Sequence, residues 1–190
     1  VLNVVPVASG KGGVGKSTVS ANLAIALSRM GARVGLLDAD IYGPSIPMIM
    51  GVTDSPVVLE TQRIVPPVQH GIKIMSMGFF LQENEAVIWR GPMLIQMITQ
   101  FLGDVEWGEL DYLVVDLPPG TGDVQLTLCQ KIPLTGAVVV STPQDVALKV
   151  AQKAIVLFQK LKCPILGIIE NMSHFVCRHC RQREEIFGNG

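Results

Sequence analysis

The stretch Gly10-Lys11-Gly12-Gly13-Val14-Gly15-Lys16-Ser17, preceded by the β-branched run Val1 to Ala8 and followed by Thr18, decides the fold. It satisfies the pattern G-x-x-x-x-G-K-(S or T), in which glycines let the backbone curl so that successive N–H groups face phosphate oxygens. A strand is predicted before it and a helix from Ser17 onward, so the positive end of a helix dipole adds to the site. Gly10, Lys11, Gly12, Gly13, Val14, Gly15, Lys16, Ser17 and Thr18 are therefore the expected nucleotide-binding residues. Lys16 is expected to bridge the β- and γ-phosphates of ATP, and the Ser17 hydroxyl to ligate Mg2+. At ordinary glycine content the bare pattern arises by chance in about one chain of this length in a hundred. Its strand–loop–helix setting makes chance rarer still.

Outward from the loop, strand and helix alternate. Val19, Leu23, Ala26, Leu27 and Met30 recur at the spacing of one helix face, and Gly31 is a fitting stop. Val34 to Leu37 predicts a buried strand ending on Asp38-Ala39-Asp40. Residues 41–92 are rich in Pro, Gly and Met, with a short strand expected at Ile72 to Ser76 and methionines 48, 50, 75, 77, 93 and 97 expected as core filler. A helix is predicted from Pro92 to Leu102, opened by proline. Tyr112 to Val115 is strand-like and ends on Asp116. Helices are predicted over 123–131 and 145–161, the second burying Val150, Ala154, Leu157, Phe158 and Leu161, and strands over 137–140 and 165–169. This order predicts an α/β protein: a mostly parallel twisted sheet with helices on both faces, the P-loop NTPase fold, in one domain over 1–190.

Composition agrees. Hydrophobic residues make up 48% and charged residues 16%, with only 5% aromatics, as in sheets whose parallel strands are buried on both faces. The net charge of −1 offers no global field for nucleic acid or anionic lipid. With no membrane-length apolar run and no signal peptide, a cytoplasmic protein without nucleic-acid or membrane partners is expected.

Three carboxylates fall at strand ends, where open α/β sheets bind ligands. Asp116 ends a buried strand and suits a Mg2+ ligand of the Walker B kind. Asp38 and Asp40 end another; Asp38 is expected near the metal, and Asp40 near an attacking water. A cap at the surface is the alternative for either. Lys11, Lys16 and Asp40 form the expected catalytic set.

Lys11 distinguishes the loop further. Lys-Gly-Gly-Val-Gly-Lys-Ser-Thr resembles the deviant Walker A motif of the MinD/ParA/nitrogenase-iron-protein class, whose early lysine reaches across a dimer to the partner's nucleotide. Asp38-Ala-Asp-Ile-Tyr-Gly-Pro-Ser-Ile-Pro47, Trp89-Arg-Gly-Pro92, Asp111-Tyr-Leu-Val-Val-Asp-Leu-Pro-Pro-Gly-Thr-Gly-Asp123, Thr142-Pro-Gln-Asp145, Glu170-Asn-Met-Ser173 and Cys177-Arg-His-Cys180 follow in order. Together they resemble the Mrp/ApbC family of iron–sulfur cluster carrier ATPases over essentially the whole chain. That resemblance implies a homodimer that hydrolyses ATP slowly, holds a 4Fe–4S cluster between its chains, and exchanges it with cluster donors and apo client proteins. It implies that Asn171 reads the adenine edge and that loops 38–47 and 116–123 sense the γ-phosphate. The family continues beyond Gly190, so part of the sheet edge and adenine pocket is expected outside this sequence. The family's Cys-Pro-x-Cys-Gly carries Arg178 in place of proline and Arg181 in place of glycine here.

Cys177 and Cys180 alone offer two thiolates, while an iron–sulfur cluster or structural zinc takes four ligands. A twofold axis brings two pairs together. A bridging cluster, a bridging zinc, and a redox dithiol or no role at all are the readings that this spacing leaves open. Cys129 and Cys163 are expected in the core, and His174 and His179 are not counted as ligands. The rival classes are a MinD/ParA-type positioning ATPase, which needs an amphipathic helix or basic surface, and a zinc or nickel metallochaperone.

Overall fold

A computed structural model describes residues 1–41, 43–80, 91–120 and 122–188. Tyr42, Trp89, Arg90 and Thr121, which belong to the motifs above, lie outside the described residues. The main elements are strands β1 (Asn3–Ser9), β2 (Val34–Asp38), β5 (Val68–Gln69), β6 (Ile72–Ser76), β7 (Tyr112–Asp116), β8 (Ala137–Ser141) and β9 (Ile165–Glu170), which form one seven-stranded sheet. Its order is β5-β6-β2-β7-β1-β8-β9, and every pairing is parallel except β5 with β6. Two-stranded pairs are made by β3 (Val57–Val58) with β4 (Ile64–Val65), and by β10 (Phe175–Val176) with β11 (Arg183–Glu184).

The central strands are buried on both faces, which explains their continuous apolar runs. One core layer packs helices α1 (Lys16–Arg29) and α2 (Ile46–Met50) on the sheet through Ala21, Ala24, Ile46 and Met50. The other packs α3 (Gly91–Asp104), α4 (Asp123–Lys131) and α5 (Asp145–Lys160) through Ile98, Phe101, Leu128, Ala154 and Phe158. Pro6 lies within the central strand β1. Val4 exchanges bonds with Thr135, so by alternation the donor missing at Pro6 falls on the β8 side, where pairing starts only at Val7.

Three packing expectations need correction. In α1 the buried stripe is Lys16, Ser20, Ala21 and Ala24, while Ala26 is exposed and Met30 is 83% exposed. Small residues let the helix lie close on the sheet, so the seam runs beside the large apolar side chains rather than along them. Likewise α5 buries Ala147 and Ala151 along with Ala154 and Phe158. Met48 and Met93 are exposed, unlike Met50, Met75 and Met77. Strand β9, last in the strand order of the described residues, is also open: Leu166 and Ile168 are 58% and 57% exposed.

The register sets the carboxyl ends in a row. Asp38 stands beside Asp116, Asp116 beside Val7, and Ser141 beside Glu170. At the start of β7, Asp111 accepts from the Arg33 guanidinium and backbone N–H, tying that strand to β2. Those bonds hold its carboxyl down at about 2.

Candidate nucleotide site and cysteine hairpin

The loop from Gly10 to Gly15 leaves β1 and enters α1 at a backbone that few residues tolerate. Gly15, the helix N-cap, has φ +86°, and a Cβ there would collide with Asn171 Nδ2. Only glycine meets both demands. No side chain among the described residues caps α1, so its first-turn N–H groups face the cleft, where an anion would find them. At Gly10 a Cβ would strike the backbone of Val150 and Ala151, so α5 packs directly under the loop.

The cleft above the loop has a volume of about 280 Å³ and is lined by Gly12, Gly13, Gly15, Lys16, Ser17, Thr18, Asp40, Ser45 and Pro119, among others. Lys16 Nζ sits 2.8 Å from Asp116 Oδ2 and 3.4 Å from Asp40 Oδ2. The Ser17 hydroxyl donates to Asp116 Oδ2 at 2.6 Å. The structure thus brings together Lys16, Ser17, Asp40 and Asp116. The acids and the serine are hard oxygen donors, the kind Mg2+ takes. Among the described residues Asp40 Oδ1 is buried without a hydrogen-bond partner, so the site fits a further cation or water at that oxygen.

Asp38 stands one layer back. Its Oδ1 accepts the Asp40 N–H, and its Oδ2 accepts the Ile46 N–H and the Ser76 hydroxyl. Burial, with the Asp116 charge second, pushes its pKa up to about 7. Both oxygens are engaged in fastening the loop between β2 and α2, and Asp38 is not among the residues lining the cleft. Burial likewise raises the pKa of Asp40, against the opposing pull of Lys16.

Lys11 Nζ donates to Gln144 Oε1 at 2.9 Å, so it is held within its own chain rather than over the cleft. Asn171 donates from Nδ2 to the Val14 carbonyl at 2.9 Å, while its backbone N–H bonds Ser141 O. Two residues at this site were missed in the sequence. Ser20 is fully buried and donates to Asp116 Oδ1 at 2.6 Å, so Asp116 is gripped at both oxygens. A polar residue one turn after Lys16, on the helix face that the phosphate loop directs inward, was the available signal. Gln144 stood within a noted motif, but nothing local ties it to Lys11.

Cys177 and Cys180 lie in the turn joining β10 to β11, half-buried and exposed respectively. Backbone N–H groups of Cys180 and then His179 face the Cys177 sulfur and lower its pKa. Arg181 N–H closes the turn on Cys177 O, and Cys177 N–H bonds Gln182 O. Arg181 has φ +62°, a left-handed backbone that glycine takes without strain. Among the described residues no group of three or more His, Cys, Asp or Glu side chains is placed to hold a metal ion. Cys129 and Cys163 are buried, and burial pushes the Cys129 thiol up to about 12. They share a cavity of about 370 Å³ at the other end of the sheet, away from the phosphate loop. No helix among the described residues is long and apolar enough to cross a membrane.

The sequence profile of a ParA family, described as NUBPL iron-transfer P-loop NTPase, matches residues 1–190. The iron-sulfur cluster carrier protein of Aquifex aeolicus is 56% identical over 192 residues, covering all of this chain and 53% of that protein. The iron-sulfur cluster transfer protein NUBPL of Dictyostelium discoideum is 51% identical over 191 residues, covering all of this chain and 59% of its own length. The chain therefore spans about half the length of the curated relatives it matches. Among solved structures, a nucleotide-binding protein from Archaeoglobus fulgidus in complex with ADP superposes with a TM-score of 0.86 at 46% identity, over 99% of this chain and 74% of that one. The septum site-determining protein MinD of Pyrococcus horikoshii, complexed with Mg-ADP, gives 0.70 at 25% identity, over 90% and 71%.

Proposed function

The chain belongs to the ParA family of NUBPL iron-transfer P-loop NTPases, and from that premise we propose that it is an ATP-dependent iron–sulfur cluster carrier. It binds Mg-ATP, hydrolyses it slowly, and delivers a 4Fe–4S cluster to apo-proteins. The observation that carries the proposal is the pair Cys177 and Cys180, presented at an accessible turn of the chain that also forms the phosphate loop. Four thiolates hold such a cluster; one chain supplies two, and a homodimer about a twofold axis supplies four. The names of the curated relatives support the same cargo.

At the nucleotide, Lys16 leaves its acids for the β- and γ-phosphates, and Ser17 and Asp116 hold Mg2+, which when bound neutralises charge on the phosphates. Ser20 keeps Asp116 in place. Asp40 orients the attacking water, and Asp38 fastens the loop that carries Asp40. Lys11 released from Gln144 supplies a second cation to the transferring phosphoryl group, acting as an arginine finger does. No strong base is required, consistent with slow turnover.

Anaerobic reconstitution with iron and sulfide, followed by metal analysis and sizing, tests the reading. About four irons and four sulfides per two chains, in a dimer, are expected. Cys177→Ser and Cys180→Ser should each abolish stable cluster binding, because one substitution removes two of four ligands from a symmetric dimer. Cys129→Ser and Cys163→Ser should keep it. A monomer holding a full cluster, or a Cys177→Ser protein that retains one, defeats the reading. Zinc taken up in place of iron supports the metallochaperone, and vesicle binding without metal supports the positioning ATPase.

A further inference from the structure

The geometry points to residues 171–176 as a tether that reports the state of the phosphate loop to the cysteine hairpin. The inference rests on the reading that the loop takes a nucleotide, and it is independent of what metal the cysteines carry.

The tether begins at Asn171. Its backbone N–H is fixed to Ser141 O at the end of β8, which leaves its side chain to reach the phosphate loop. There Nδ2 donates to the Val14 carbonyl at 2.9 Å, across 157 positions of sequence. The contact is close on the loop's own backbone, since a Cβ on Gly15 would collide with that same Nδ2. Val14 and Gly15 sit between the glycines that curl around phosphate and Lys16. Whatever turns their peptide units toward a bound phosphate also turns the carbonyl that Asn171 holds.

The next residue carries the signal onward. Met172 has φ +57°, a left-handed backbone uncommon for a residue with a side chain and held there by its surroundings. Its Cε stands 3.8 Å from the place a Gly15 Cβ would occupy. The same side chain lines a cavity of about 220 Å³ with His174, Phe175, Ile186 and Phe187. Phe175 opens β10 and pairs with Glu184 of β11, while Ile186 and Phe187 follow β11 directly. Cys177 comes immediately after β10, so one residue stands beside the phosphate loop and also lines the cavity at the base of the hairpin that presents the thiols. Six positions of chain separate Asn171 from Cys177. This is a short, contiguous mechanical link with a strained residue near its start, the arrangement through which two sites bias one element.

The readout is thiol alkylation on the metal-free full chain, which needs neither iron nor turnover. Cys177 and Cys180 are labelled with iodoacetamide, with and without saturating Mg-ADP, and their rates are resolved by peptide mass spectrometry. In the wild type, nucleotide should change the Cys177 rate by about fivefold or more, the lower range of ordinary coupling between sites. Met172→Gly removes the shared side chain and suits the left-handed backbone. It should bind Mg-ADP within about twofold of wild type yet lose most of the nucleotide response in the Cys177 rate. Phe187→Ala, on the hairpin side of the cavity, should do the same and decides the matter if Met172→Gly fails to fold. A wild-type rate indifferent to bound nucleotide overturns the inference, as does a full wild-type response in a folded Met172→Gly or Phe187→Ala protein. Failure of Mg-ADP to bind at all would instead strike the nucleotide reading.

Discussion

Replacing Lys16 by alanine probes the fold as well as the phosphate site. Its side chain is 6% exposed and lies 2.8 Å from Asp116 and 3.4 Å from Asp40. Asp38 is buried beside them, close enough to Asp116 for that charge to raise its pKa. Without nucleotide, one cation therefore faces two buried acids with a third, Asp38, one layer behind, and Lys16→Ala leaves these acids without it. Removing one member of a buried ion pair costs about 3–5 kcal/mol, a large share of the roughly 5–15 kcal/mol that holds a domain together. With a urea slope of about 2 kcal/mol per molar, the unfolding midpoint should fall by about 1.5–2.5 M near pH 8. Asp38 and Asp40 take protons more readily folded than unfolded, so the deficit should shrink as the pH is lowered to about 5.5. ATP binding should be lost at both pH values, because the cation over the phosphates is gone. Urea unfolding followed by fluorescence of the buried Trp107, beside a direct ATP-binding assay, makes the measurement. A variant that unfolds at the wild-type urea concentration near pH 8 would refute the ion-pair argument, and one that still binds ATP normally would refute the phosphate-loop assignment.

The other predictions concern the metal grip, the chemistry and pH. Ser20→Ala removes the 2.6 Å bond to Asp116 Oδ1, a charge-assisted bond worth about 1.5–3 kcal/mol. It should raise the Mg2+ needed for half-maximal hydrolysis by about tenfold without changing Mg-free nucleotide affinity, and Ser20→Thr should restore it; an unchanged Mg2+ titration counts against the positioning role. Lys11→Ala and Asp40→Ala should keep nucleotide affinity and lower hydrolysis about a hundredfold, since both groups act on the transition state; affinity and turnover falling together would show the roles to be wrong. Burial, with the Asp116 charge second, pushes the Asp38 carboxyl from its ordinary 3.8 up to about 7, so its protonated form is the one the fold prefers. That contribution is complete below about pH 4 and is lost as the pH rises through about 7, at up to ~1.4 kcal/mol per pH unit. Unfolding across this range should show the slope in wild type and a reduced one in Asp38→Asn; equal slopes would place the titration elsewhere.

Much of this molecule is legible in its sequence because its decisive signals are local. The glycines and Lys16 that make the phosphate loop are adjacent, and the strand–helix alternation around them is a matter of short-range period. Strand ends could be recognised one by one, so Asp38, Asp40 and Asp116 were found. What each acid does was a tertiary matter. Asp38 is occupied by Ile46 and Ser76, eight and 38 positions away, while Asp116 is gripped by Ser17 and Ser20 across 99 and 96. The periodicity of α1 marked a helix but misplaced its buried face, because close contact with the sheet selects Ser20 and Ala24 over larger apolar neighbours. The contact of Asn171 with Val14 closes a 157-residue separation. A short sequence window records which backbone shapes are cheap, and only the folded sheet, by bringing distant strand ends into one row, decides which side chains meet.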